Sequence, residues 1–274
     1  MTRSVLRDRC LAGELAGELV IDAHAHLGPW HNFWVRQGGW AGPMVESMDQ
    51  CGITTTVVAP HVAIGPDERL GNDQAYQAQE EFPGRIVAYV TINPNRPRQA
   101  VEAEIARWEG AGIRGFKLHP SLHGYQASGE GYRPAYEYAD AHGLPVLSHC
   151  WDGDPHGAPS VVAGLADEYP RAYFIIGHAA SSWGAIETSC AEAAQRENVY
   201  LDLAGSGLWY GALEYMVEHA GAERITLGTD SPFFDPRPPL ARVLMARISD
   251  EDKRLILGLN AQRLFGLGSL GDLA

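Results

Sequence analysis

Ile21-Asp22-Ala23-His24-Ala25-His26-Leu27-Gly28 closes the first of a series of short β-rich runs. Side chains two apart on a strand point the same way, so His24 and His26 project together from its C-terminal end. Outward from this stretch, runs of the same kind occupy 19–24, 54–59, 86–91, 113–118, 145–149, 173–177, 199–203 and 225–228. Most are near-continuous and rich in Val and Ile, as strands buried on both faces are. The run at 54–56, three threonines, is less apolar. Amphipathic stretches at 43–50, 72–82, 97–110, 134–141, 159–169, 183–196, 211–220, 239–247, 250–257 and 260–265 predict helices. The stretch 97–110 opens with Pro and closes with Gly, matching a helix start and stop. Strand-helix alternation over eight units predicts an α/β fold with a parallel sheet, closed into a single (β/α)8 TIM barrel. Such a barrel needs ~250 residues, and the chain has 274. Residues 1–17 read as a helical arm outside the barrel, and 18–274 as the barrel itself.

On that map the polar residues gather at strand ends. Lys117 and His119 end the fourth run, His149 the fifth and His178 the sixth, and Asp230 follows the eighth. The active site of a barrel enzyme lies at the C-terminal ends of its strands. A lone His-x-His, or a lone strand-end histidine, is ordinarily a satisfied structural residue. Here His24, His26, His149, His178 and Asp230 converge from four strands on one face, which points to a metal site. Imidazole and carboxylate donors suit zinc first, with manganese, iron or nickel as alternatives.

The formal net charge of −13 repels nucleic acid and anionic membranes, so neither is an expected partner. No run of eighteen apolar residues occurs, and Asp8, Glu14 and Glu18 interrupt any signal-like N-terminal core. The four cysteines, Cys10, Cys51, Cys150 and Cys190, are scattered, which fits a reducing, cytoplasmic setting. Cys150, next to His149, reads as a small buried hydrophobe.

The pieces IDAHAHLG, GFKLHP, PVLSHC, FIIGHAA, LGTDSP and ILGLNAQRLFGL run from residue 21 to 267. As a set they resemble the amidohydrolase superfamily, in the amidohydrolase-2 branch that includes aminocarboxymuconate-semialdehyde decarboxylase. The resemblance implies a divalent metal on His24, His26, His149 and Asp230, with His178 beside it as a catalytic residue or a second-metal ligand. One metal is expected; two would require a carboxylated Lys117, which otherwise positions substrate. The first expectation is a hydrolase in which metal-bound hydroxide attacks an amide, ester or lactone, Asp230 is general base and acid, and His178 steadies the oxyanion. The alternative is a metal-dependent, non-oxidative decarboxylase or hydratase of an unsaturated or aromatic acid. A catalytically silent barrel used as a binding protein is the reading of another class, and the intact ligand set argues against it.

Loops after the strands shape the pocket for a small-molecule substrate. The loop 29–40 holds Trp30, Trp34, Arg36 and Trp40, and its three tryptophans are not expected to sit in water. They line an aromatic substrate pocket or form the contact of a homodimer. Trp151 and Trp209 follow the fifth and seventh strands, and His119 faces the mouth, while His123 reads as loop surface. Arg36, Arg133 and Arg237 are candidates to clamp a substrate carboxylate.

Overall fold

The computed structural model describes residues 4–12, 17–32, 34–179, 181–205, 207 and 209–268. Eight strands lie within or close to the eight apolar runs: β1 Ile21–Leu27, β2 Thr55–Pro60, β3 Ile86–Ala88, β4 Phe116–Leu118, β5 Pro145–His149, β6 Tyr173–Gly177, β7 Val199–Asp202 and β8 Ile225–Thr226. All pair in parallel, β1-β2-β3 in one sheet and β4 to β8 in sequence order in the other. Backbone bridges join the two sheets at both seams. At one, the Val90 amide donates to the Gly115 carbonyl and the Lys117 amide to the Val90 carbonyl, both at 3.0 Å. At the other, Ala23 donates to Leu227 at 2.8 Å and His26 to Ser231 at 2.7 Å. The chain is a (β/α)8 barrel.

Alternation along the strands sorts their side chains into two apolar clusters. Val57, Ala59, Val87, Tyr89, Leu147, Ile175 and Tyr200 form one, together with Ala261, Leu264 and Phe265 from the closing helix Asn260–Phe265. Their strand neighbours Val58, Ala88, Phe116, Leu118, Val146, Phe174, Ile176 and Leu201 pack with the helices in the other. Both faces of each strand are covered, which is why the runs read as continuous rather than alternating. Lys117, His149 and Asp202 take the interior positions, because each is an even number of residues from an interior position or flanked by exterior ones.

Helices fill the expected stretches, with ends shifted by a few residues. Arg98–Glu109 starts after Pro97 and stops at Gly110; Pro159–Glu168 carries Pro in its first turn. The last expected stretch but one divides into Asp250–Arg254 and a wider helical turn, Leu255–Leu259. The helix Val5–Leu11 is capped by Ser4, and its Val5 and Leu6 amides donate to the Asp250 carboxylate. Leu6 is fully buried, so this helix is packed onto the barrel.

Candidate metal centre

Hydrogen bonds orient the rings of His24, His26, His119 and His178 at the C-terminal end of the barrel. A carbonyl or carboxylate only accepts, so the nitrogen facing it carries the proton. His24 Nδ1 donates to Asp202 Oδ2 at 2.7 Å, His26 Nδ1 to the Ala59 carbonyl at 2.8 Å, and His178 Nδ1 to the Ala204 carbonyl at 3.2 Å. In a neutral ring, each Nε2 is then an acceptor, and that of His24 faces Lys117 Nζ at 2.6 Å. His119 is the reverse: its Nδ1 accepts the Leu122 amide at 3.3 Å, leaving Nε2 as the protonated nitrogen of the neutral ring.

The donor atoms of His24, His26 and Asp230 all lie within 4.8 Å of one another, and all three residues are buried. His24, His178 and Asp202 form a second such group, sharing His24. His26 Nε2 faces Asp230 Oδ1 at 3.1 Å, although the ring already donates through Nδ1. Two acceptors meet there unless a proton or a cation lies between them. A divalent ion satisfies that arrangement, and the donor set fits one.

Burial drives the protonation of this cluster. It pushes His24 and His149 well below the usual imidazole range and His178 down to about 4, so these rings stay neutral. For Asp230, burial favours the neutral acid, but the contact with His26 and the nearby His178 and His24 outweigh it and hold the carboxylate well below its usual range. Lys117 is fully buried and lowered by burial to about 8; its Nζ lies 2.6 Å from His24 Nε2.

His178 and Asp230 are non-glycine residues with positive φ, 56° and 60°. That conformation is uncommon and strained for such residues, and strain of this kind gathers at functional sites. Backbone bonds hold both: the His178 amide donates to Asp202 Oδ2 at 3.0 Å, and the Asp230 amide to the His24 carbonyl at 2.8 Å.

His149 belongs to neither tight donor group. Its ring stacks on His119 at 3.9 Å and lies 4.7 Å from His178. Trp151 is 5.9 Å from His178 at the same rim. Trp30 packs 5.3 Å from Phe233, which in turn lies 5.2 Å from His26. Trp34 and Arg36 instead line a neighbouring cavity of about 590 Å³, with Met44, Cys51, Pro232 and Phe233. None of the candidate metal donors lines that cavity, whose wall includes Ser231, Pro232 and Phe233 just after Asp230.

Several expectations change. Trp34 is 81% exposed and Trp40 is also exposed, so the tryptophans of the first loop do not all avoid water. Trp30, by contrast, packs against His61 and Phe233 beside the cluster. Trp209 is exposed as well. His123 is buried, not loop surface, because Tyr132 donates or accepts through its hydroxyl at 2.8 Å from Nδ1. Arg133 pairs with Glu130 and Glu168, and Arg237 with Asp235. Cys150, by contrast, is buried as expected, with its thiol pushed up to about 12 by burial.

Sequence reasoning passed over two residues. Asp202 ends β7 and accepts from His24, His178 and the Ala204 amide. His61 follows β2 directly and lies 5.0 Å from the His26 ring. The rule that found the other residues, a polar side chain at a strand's C-terminal end, applies to both.

The sequence matches the amidohydrolase family over residues 21–267. The chain belongs to the amidohydrolase family. No curated protein matches it. Among solved structures, this amidohydrolase is similar to 5-carboxyvanillate decarboxylase from Novosphingobium aromaticivorans, solved with manganese and 4-hydroxy-3-methoxy-5-nitrobenzoic acid. That likeness has 16% identity and a TM-score of 0.70, covering 92% of this chain and 97% of the other. It is similar to 2,6-dihydroxybenzoate decarboxylase from Rhizobium, at 19% identity and TM-score 0.69, covering 91% and 98%. A TIM-barrel protein from Bordetella bronchiseptica gives 19% and 0.71, covering 90% and 98%. At such identities these likenesses show the fold. Family and donor cluster together support a divalent-metal site.

Proposed function

We propose that this amidohydrolase is a metal-dependent decarboxylase that removes CO2, without oxidation, from an aromatic or unsaturated carboxylic acid. The observation that carries this reading is Lys117. Its ammonium is fully buried beside the donor cluster, and no carboxylate among the described residues lies within ion-pairing distance of it. A buried cation bonded to a neutral imidazole with no direct ion pair is costly, and a substrate carboxylate would complete it. His24, His26 and Asp230 would hold the metal, with His149 brought in as a fourth ligand. A bound divalent ion, zinc or manganese, supplies Lewis-acid polarisation of a substrate oxygen.

The chain's own groups do the rest. Lys117 Nζ donates to the substrate carboxylate and fixes the bond to be broken. The proton that replaces the carboxyl group on carbon comes from solvent and passes through Asp230, which is ionised at rest. The reaction balances as one proton taken up and one CO2 released. The rings of Trp30, Phe233 and His61 exclude water from the cluster, whose donors are nearly sealed from solvent. The decarboxylase likenesses support the substrate class.

A second reading, hydrolysis of an amide, ester or lactone, draws on one observation. Ionised Asp230 and the bare Nε2 of His178 are two bases that can take a proton from water. The test is metal-loaded protein against hydroxybenzoates and other aromatic acids, and against lactones, esters and N-acyl compounds. Release of CO2 with the matching decarboxylated product supports the first reading. Hydrolysis without CO2 supports the second, and no turnover in either panel overturns both.

A further inference from the structure

His61 is 1% exposed and stands at the first position after β2. Its Nδ1 donates to the Gly28 carbonyl at 2.7 Å, so the neutral ring presents Nε2 as an acceptor on its opposite edge. That Nε2 is buried and has no hydrogen-bond partner among the described residues. The ring stacks on Phe233 at 4.0 Å and lies 5.0 Å from His26, with Trp30 at 5.4 Å. Burial and the neighbouring His26 keep it neutral, near 3 in pKa.

An orphaned buried acceptor costs roughly 1–3 kcal/mol, and such atoms in native proteins call for an explanation. The ring is held on one edge by Gly28 and on one face by Phe233, so it cannot readily turn to find a partner. His61 also lies outside the tight donor groups, so its lone pair is not spent on that cluster.

We propose that His61 is a specificity-determining residue whose Nε2 accepts a hydrogen bond from a hydroxyl or N–H group on the substrate ring. The inference rests on the reading of the site as one for aromatic acids. It adds that the preferred acid carries a donor substituent, and that Phe233 or Trp30 shifts to admit it. A site built to satisfy a substrate donor rejects the analogue that lacks it, because the acceptor stays unpaired in that complex.

The experiment uses the metal-loaded enzyme and matched pairs of probes, the 2-, 3- and 4-hydroxybenzoates and their methyl ethers. Binding is read by tryptophan fluorescence, and metal content is measured in parallel. Wild type is expected to bind at least one hydroxybenzoate about tenfold more tightly than its ether, the scale of one hydrogen bond to a buried acceptor. His61→Phe keeps the stack and His61→Asn keeps the bond to Gly28, and both should erase that preference with metal content unchanged. Equal binding of every pair by wild type, or a preference that survives in both variants, overturns the role of His61 alone. Loss of metal in both variants also overturns it and makes His61 a ligand. Failure of wild type to bind any benzoate overturns the aromatic-acid reading together with this inference.

Discussion

Replacing Asp202 with Asn perturbs the group that sets the tautomer of His24. Asp202 Oδ2 accepts His24 Nδ1 at 2.7 Å and the His178 amide at 3.0 Å, while Oδ1 accepts the Ala204 amide at 3.1 Å. Asparagine offers one oxygen and one NH2, so in either orientation at least one donor faces another donor. An orphaned donor costs about 1–3 kcal/mol, and each surviving bond falls from the charged class, about 1.5–3, to the neutral one, about 0.5–1.5 kcal/mol. Against this, the substitution relieves the burial of a carboxylate whose pKa is already raised, chiefly by that burial. The metal-free fold should therefore lose only about 1–3 kcal/mol. Metal binding has no such offset, because His24 keeps at best a neutral amide oxygen where a carboxylate fixed its tautomer. Loss of an outer carboxylate of this kind weakens metal affinity about 10–100-fold, or about 1.4–2.7 kcal/mol. Titration of metal-free protein with zinc or manganese against a chromophoric chelator reads the affinity, and urea unfolding reads the stability. Asp202→Asn binding metal within about twofold of wild type would refute the tautomer argument.

Three further outcomes are expected. Lys117→Met removes the buried cation at similar volume; affinity for aromatic carboxylates should fall on the order of 10–100-fold while elemental analysis shows the metal retained. His123 has its pKa lowered by burial from 6.5 to about 4. The unfolded chain therefore takes up the proton first, so stability is full above about pH 6.5 and is lost as pH falls through about 4, by about 3 kcal/mol; urea midpoints of His123→Phe should be flatter across that window. A methyl on Gly228 would lie 1.9 Å from Asp202 Oδ1 and 2.8 Å from His24 Cβ. Gly228→Ala should accordingly lose about 3 kcal/mol or more in chemical denaturation and weaken metal binding as well.

The strands were legible because burial on both faces leaves an uninterrupted apolar run, and the turns between them carry Pro and Gly. Boundaries were less so. β1 runs on to Leu27, beyond the expected 24, because pairing with β2 continues to Pro60 across a register shift between Asp22 and Ala25. Lys117 was placed at the site by its strand end, but its lack of an acidic partner is a matter of distances. His123 shows the reverse error: its loop position suggested water, but the fold buries it with its Nδ1 hydrogen-bonded to Tyr132.

The sequence by itself determined a (β/α)8 barrel and the face that carries the candidate site, since both follow from periodicity and from residue types at strand ends, and its motifs carried the resemblance to the amidohydrolase family. Tertiary structure decided which side chains meet. Asp202 joins His24 across 178 positions of chain and Thr229 joins Asp22 across 207. Ring closure brings β1 against β8 and fixes each imidazole by the acceptor it happens to face. Tautomer, orphaned lone pair and unpaired ammonium are properties of those distances, and no local pattern of residues encodes them.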